Sequence, residues 1–237
     1  MQSRLIMTRN DVRHGVHQSW QFLEKVDLAE TLSKVDPLAV DEELRKLASS
    51  PASYDAIYMK CLEKAYFNMS LNDFSFFQFG WSAENEVRYA FYPNPFLAGE
   101  VRYSQIRAYR DLVDADLMSQ EDYLSLLRGK ESPDIRMPLI RYENSPEQQR
   151  GLPHPCSHLH IGHHGDNRWP LSRTLTPLAF TMWVIKQYYG ERWRVFTDDL
   201  DPLGNPLEGA LIDEKANCRI IGDELFDADE RRSFSFG

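Results

Sequence analysis

Five of the chain's seven histidines fall between His154 and His164, in the stretch HPCSHLHIGHH. Imidazole is the side chain that titrates near neutral pH and the commonest nitrogen ligand for metals, so this density points to two chemistries. In the first, one of His158 and His160 is the general base and the other the general acid of a metal-independent RNA cleavage that needs no cofactor. Arg141, Arg168 or Arg173 would clamp the phosphate and stabilise the charge that builds on it. Glu143 would orient a histidine or a base. In the second, His158 and His160 hold a divalent metal, with Glu143, Asp166 or His164 as third ligand and a position open for water. Against both stands a structural reading, in which one imidazole bonds a backbone carbonyl and the others are solvated at a turn. A histidine-triad nucleotide hydrolase is excluded, because Gly162 occupies the third histidine position of that motif.

These side chains need a strand to bring them together. If Cys156 to Gly162 is extended, Leu159 and Ile161 face the core, and Cys156, His158 and His160 share the other face. Residues two apart on one face are roughly 6–7 Å apart along the backbone, close enough to share a metal or straddle a phosphate. The preceding strand candidate, MPLIRYEN, puts Arg141 and Glu143 on one face. His163 and His164 fall in the turn GHHGDNRWP. His14 and His17 are expected at the surface of a first helix.

Further upstream, DFSFFQFGWS and EVRYAFYPNPF are aromatic, partly alternating runs that read as a hairpin. In the second run Val87, Tyr89 and Phe91 share one face and Arg88, Ala90 and Tyr92 the other. Helical periodicity marks the first seventy residues and returns between Tyr103 and Lys130. Thr176-Pro177 opens a helix that is apolar nearly all round, as expected of one buried across a sheet. The pattern predicts an α+β fold: an antiparallel sheet of about four strands, a buried helix across it and an N-terminal helical segment. Residues 1–70 form that segment, 71–195 the core with the histidine strand, and 196–237 an acidic, loosely ordered tail.

A formal charge of −9 argues against broad, nonspecific nucleic-acid binding, but the charge is uneven. From Arg136 to Arg194 eight Lys/Arg stand against four Asp/Glu, a net +4; from Asp198 onward the net is −7. The histidines therefore sit in a basic stretch that the acidic tail could shield. Three cysteines at no metal-knuckle spacing suit a reducing cytoplasm. No apolar run is long enough to span a membrane.

The ordered blocks FSFFQFGWS, VRYAFYPNPF, HPCSHLHIG and RWPLSRTLTPLAF resemble the uncharacterised bacterial proteins grouped as domain of unknown function 2290, over residues of about 54–189. There the histidine strand reads H-L-x-[IL]-G followed by R-x-P. The resemblance thus weights His158, Gly162, Arg168 and Pro170, and puts His160 at a variable position. It carries no established activity. It implies an accessory protein of a bacterial mobile-element or antiviral-defence locus that acts on, or docks to, RNA or DNA. The order of IRYENSP and SHLHIG is also similar to small toxin RNases. The rival expectation is a noncatalytic subunit that meets a protein partner through the aromatic surface of residues 74–92.

Overall fold

The computed structural model describes residues 7–96, 108–128, 137–162, 168–195 and 206–234. The four segments read as extended are strands: β3 (Phe76–Ala83), β4 (Glu86–Tyr92), β5 (Ile140–Asn144) and β6 (Ser157–Ile161). Three more join them, namely β1 (Ala29–Leu32), β2 (Met69–Leu71) and β7 (Trp169–Pro170). The result is a seven-stranded sheet in the order β1-β2-β3-β4-β5-β6-β7, each strand antiparallel to the next. The expectation of about four strands is corrected here. The extra strands escape a period-two reading because they are two to four residues long, and β2 is buried at all three positions.

The α+β class holds. Helices α1 (Arg9–Lys25), α2 (Glu42–Ala48) and α3 (Tyr54–Glu63) come from the first seventy residues, as does β1. A helical stretch at 108–114 and α4 (Gln120–Arg128) follow. Then come α5 (Pro177–Tyr188) and α6 (Gly190–Val195). Among the described residues no helix is long and apolar enough to cross a membrane.

Each face of the sheet has its own core. On one face Phe77, Phe79, Tyr89, Phe91, Tyr142 and Leu159 pack against α1 and α5. Phe180 of α5 is fully buried there and meets the rings of Phe77, Phe79, Tyr89 and Tyr142. Removing such a ring costs about 3–5 kcal/mol. Local signals start both helices: Thr8 and Asp11 form a capping box at α1, and the Thr176 hydroxyl accepts from the Ala179 amide at α5. The two helices touch closely, since a Cβ on Gly15 would lie 2.6 Å from the Pro177 ring. As expected, α5 lies buried across the sheet. Helix α5 is capped at Tyr189, and Gly190 opens α6.

On the opposite face Phe76, Ala90 and Tyr92 pack against Leu44 of α2, against Ile57, Tyr58 and Cys61 of α3, and against Tyr123 of α4. The aromatic residues between 74 and 92 that a scaffold reading would place at an interface therefore fill the protein's own two cores. Toward β5–β7 this face changes character: its side chains are Arg88, Arg141, Glu143, His158 and His160.

Residues 206–234, expected as a loosely ordered tail, form α7 (Pro206–Asn217), β9 (Arg219–Ile220) and α8 (Ala228–Phe234). Leu207 and Leu211 of α7 belong to the main core, and β9 pairs with β8 (Arg173–Thr174). Buried Ile221 and Phe226 close over Cys156. The region has no sustained period because its elements are short and only a few side chains of each are buried.

Candidate metal and anion site

The register of three adjacent strands builds the site. On β6 His158 stands opposite Glu143 of β5, which stands opposite Arg88 of β4. One step along, His160 stands opposite Arg141, which faces Ala90. The sheet thus presents two parallel rows, Arg88–Glu143–His158 and Ala90–Arg141–His160, on one face. Sequence alternation predicts the shared face of His158 and His160 and that of Arg141 and Glu143, and both hold. Ile161 points with Leu159 as expected, but at the strand end it is 37 % exposed.

His158 and His160 are both buried. The His158 Nδ1 lies 2.8 Å from the Pro155 carbonyl, which only accepts, so Nδ1 carries the proton and Nε2 keeps its lone pair. That lone pair faces the His160 Nε2 at 3.0 Å. The Glu143 Oε1 lies 4.0 Å from the His160 Nε2 and forms an ion pair with Arg88 Nη2 at 2.9 Å. Ligand atoms of Glu143, His158 and His160 all fall within 4.8 Å of one another.

The charge states follow from burial and neighbours. Burial drives the His158 imidazole toward neutrality, against the pull of Glu143. Burial and the Arg141 charge push His160 further, down to about 3. Burial alone would raise the Glu143 carboxyl, but Arg88 and Arg141 outweigh it and hold it below the usual carboxylate range. The arrangement is therefore two neutral imidazoles and one carboxylate, the protonation states a divalent metal requires of its ligands. The two Nε2 atoms, 3.0 Å apart, are close enough to be shared by one ion, with Glu143 as the third ligand. The Pro155 carbonyl acts behind His158 as an outer partner that fixes the ring and its tautomer.

Unspent donors surround this centre. The Nε–H groups of Arg141 and Arg168 are buried and meet no acceptor among the described residues, and the buried Nδ1 atoms of His154 and His160 have no hydrogen-bond partner there. A buried N–H is a donor that an anion could engage, and a partner for it is worth about 1–3 kcal/mol. Burial and the neighbouring Arg88 both disfavour the Arg141 charge, and Arg168 adds to them. Arg168 precedes Trp169, which pairs with Leu159, so continuing the β6–β7 register sets it opposite His160, and its charge also depresses both imidazoles. A cleft of about 310 Å³ opens alongside, with Arg88, Arg141 and Glu143 in its wall.

Of the residues named from sequence, His158, His160, Glu143, Arg141 and Arg168 come together. His164 and Asp166, named as a third ligand, lie outside the described residues. Arg173 is elsewhere: its guanidinium donates to the carbonyls of Lys215 and Cys218 and ties β8 to the C-terminal region. Trp169 packs on the α1–α5 face, away from the histidines. Cys156 is buried with its thiol pushed up to about 11 by burial, far from a nucleophile's range. His14 and His17 are exposed on α1. Sequence reasoning missed Arg88 and the Pro155 carbonyl. The alternation of EVRYAFY already assigns Arg88 a face, but only the β4–β5 register sets it against Glu143.

Comparison with curated proteins and with solved structures finds no match. The family comparison is positive and extends beyond the segment 54–189. Residues 27–236 match the family described as uncharacterized conserved protein (DUF2290), and the chain belongs to that family.

Proposed function

We propose that this protein is a divalent-metal-dependent hydrolase of phosphate esters, with Glu143, His158 and His160 as metal ligands and Arg141 and Arg168 as the anion's partners. The observation that carries this reading is the convergence of two neutral Nε2 atoms and a carboxylate within 4.8 Å, beside two unsatisfied arginine donors. Two nitrogens and one carboxylate oxygen suit zinc, manganese or ferrous iron, and three protein ligands leave positions for water and substrate. A metal held by these residues would supply an activated water for attack on phosphorus, with the P–O ester bond breaking and its oxygen leaving protonated. Arg141 and Arg168 would stabilise the negative charge that accumulates on the phosphoryl oxygens.

The metal-free alternative asks His158 to exchange protons near neutral pH. Its burial and its neutral form weigh against that role, while both features suit a ligand. Nucleic acid and small phosphate esters share the chemistry and are separated by assay. The test is hydrolysis of RNA, single- and double-stranded DNA and 4-nitrophenyl phosphate by the chelator-treated protein, with and without added zinc or manganese. Activity that appears with metal and is lost in His158→Ala and Glu143→Gln supports the proposal. Cleavage that persists with a chelator and is lost in His158→Ala restores the acid–base mechanism.

A further inference from the structure

We infer that the cleft beside the metal ligands is the substrate pocket of that site, and that it takes a compact phosphate monoester with an apolar body rather than a nucleic-acid strand. This rests on the metal reading for the reaction, but the binding claim stands on the cleft itself.

The cleft has two unlike ends. One is polar and belongs to the site: Arg88, Arg141 and Glu143 line it, and Arg141 brings an Nε–H that has no acceptor among the described residues. The other end is formed by Leu44 of α2 and Ile57 of α3, side chains of the second core. Ala90, opposite Arg141 in the sheet, and Leu139, two residues before Arg141, lie between the two ends. A molecule bound there would have an anionic head on the arginines and an apolar body against the helices. The volume of about 310 Å³ lies at the lower limit of small-molecule pockets, roughly 300–1,000 Å³. That is room for one small organic phosphate.

Arginine donors select phosphate. Of the charged side chains in the wall, Arg45 pairs with Glu42, Asp41 with Lys64 and Arg88 with Glu143, which leaves Glu86 and Arg141 with its buried Nε–H. Arginine presents paired donors to phosphate oxygens, and a divalent metal beside it would add two positive charges that favour a dianion over a monocarboxylate. A polyanion finds less. The wall formed by α2 and the residues before it carries Asp41, already paired with Lys64, and Glu43 lies on the same helix. The whole chain carries a formal charge of −9, against the extended positive track that a nucleic-acid strand needs.

The test is titration calorimetry on the full chain with three probes: inorganic phosphate, phenyl phosphate and a single-stranded oligonucleotide. It is run with chelator and again with manganese. Two variants probe the two ends. Arg141→Gln removes the anion donor. Ala48→Trp, at an exposed position on the cleft rim, places bulk over the apolar end. Circular dichroism checks that both fold. The wild type is expected to bind phenyl phosphate about tenfold or more tighter than inorganic phosphate, because the ring is buried. Ala48→Trp should abolish that difference and leave inorganic phosphate binding in place, and Arg141→Gln should weaken both. Equal affinity for the two phosphates in the wild type would overturn the inference, as would an oligonucleotide that binds tighter than either and ignores Ala48→Trp. If the expected pattern appears with chelator while no metal binds, the metal reading fails and the pocket stands. If metal binds at Glu143, His158 and His160 but neither variant changes phosphate binding, the pocket fails alone.

Discussion

His158 and His160 present their Nε2 atoms to each other at 3.0 Å, with the far side of His158 anchored to the Pro155 carbonyl at 2.8 Å. Without an ion between them, one imidazole has to donate to the other. His158 holds its proton on Nδ1, so the donor is His160. The His160 Nδ1 is then a bare acceptor, buried with no donor among the described residues.

Metal binding is the first consequence. Titration of the chelator-treated protein with zinc or manganese should saturate at one ion per chain. His158→Ala and His160→Ala should each remove binding. Glu143→Gln, which keeps the shape but loses the charge, should weaken it by about tenfold to a hundredfold. Mass spectrometry under native conditions reads the stoichiometry, and a wild type that takes up no ion refutes the site.

Asp73 gives a pH signature far from these ligands. It is buried and accepts from the Tyr189 hydroxyl at 2.7 Å and from the Ser75 amide at 2.9 Å. Burial raises its pKa above the ordinary aspartate value despite those bonds. The folded chain therefore holds this proton to a higher pH than the unfolded chain does. Its contribution is fully present below the unfolded pKa and is lost as pH rises through the folded one. Asp73→Asn should remove that loss, so the variant's melting temperature should gain on the wild type between acid and neutral pH. Asp73→Ala should be less stable than Asp73→Asn throughout, by about 1–3 kcal/mol for the unsatisfied partners. Melting curves at several pH values decide it, and a wild type and Asp73→Asn that run parallel contradict the raised pKa.

The C-terminal region is predicted to be structural. A chain ending before Pro206 loses Leu207 and Leu211 from the main core and uncovers Cys156. Such a truncation should aggregate or melt at a markedly lower temperature. A truncated chain that folds normally and gains affinity for nucleic acid at low salt would instead revive the idea of an acidic shield.

At Gly15 the contact is steric. A Cβ there would meet the Pro177 ring at 2.6 Å, so Gly15→Ala has to push α1 from α5. The methyl group should raise helix propensity by about 1 kcal/mol, and the overpacking should cost about 1–3 kcal/mol. Net destabilisation by chemical denaturation is expected, with the metal ligands unaffected.

The legible part of this molecule was the part with long alternation. β3 and β4 run eight and seven residues, and their aromatic rhythm is unmistakable. β6 is shorter, yet SHLHI alternates cleanly enough to place His158 and His160 on one face. β1, β2 and β7 were not legible, because strands of two to four residues leave no period to detect. At the site, alternation found the histidines with Arg141 and Glu143, and the family resemblance weighted Arg168. What stayed hidden were the relations between strands. Arg88 reaches Glu143 only through the β4–β5 register, and the apolar end of the cleft comes from α2 and α3, about a hundred residues earlier in the chain.

The two rows across β4, β5 and β6 make the site a reporter of strand alignment. Slipping β6 by one residue would turn Leu159 to this face and send both imidazoles into the α1–α5 core. Every misregistered chain would thus lack two of its three metal ligands. An ion that binds only the correct alignment draws the population toward it by mass action, so the metal would serve as a proofreader of the sheet during folding as well as a reagent afterward.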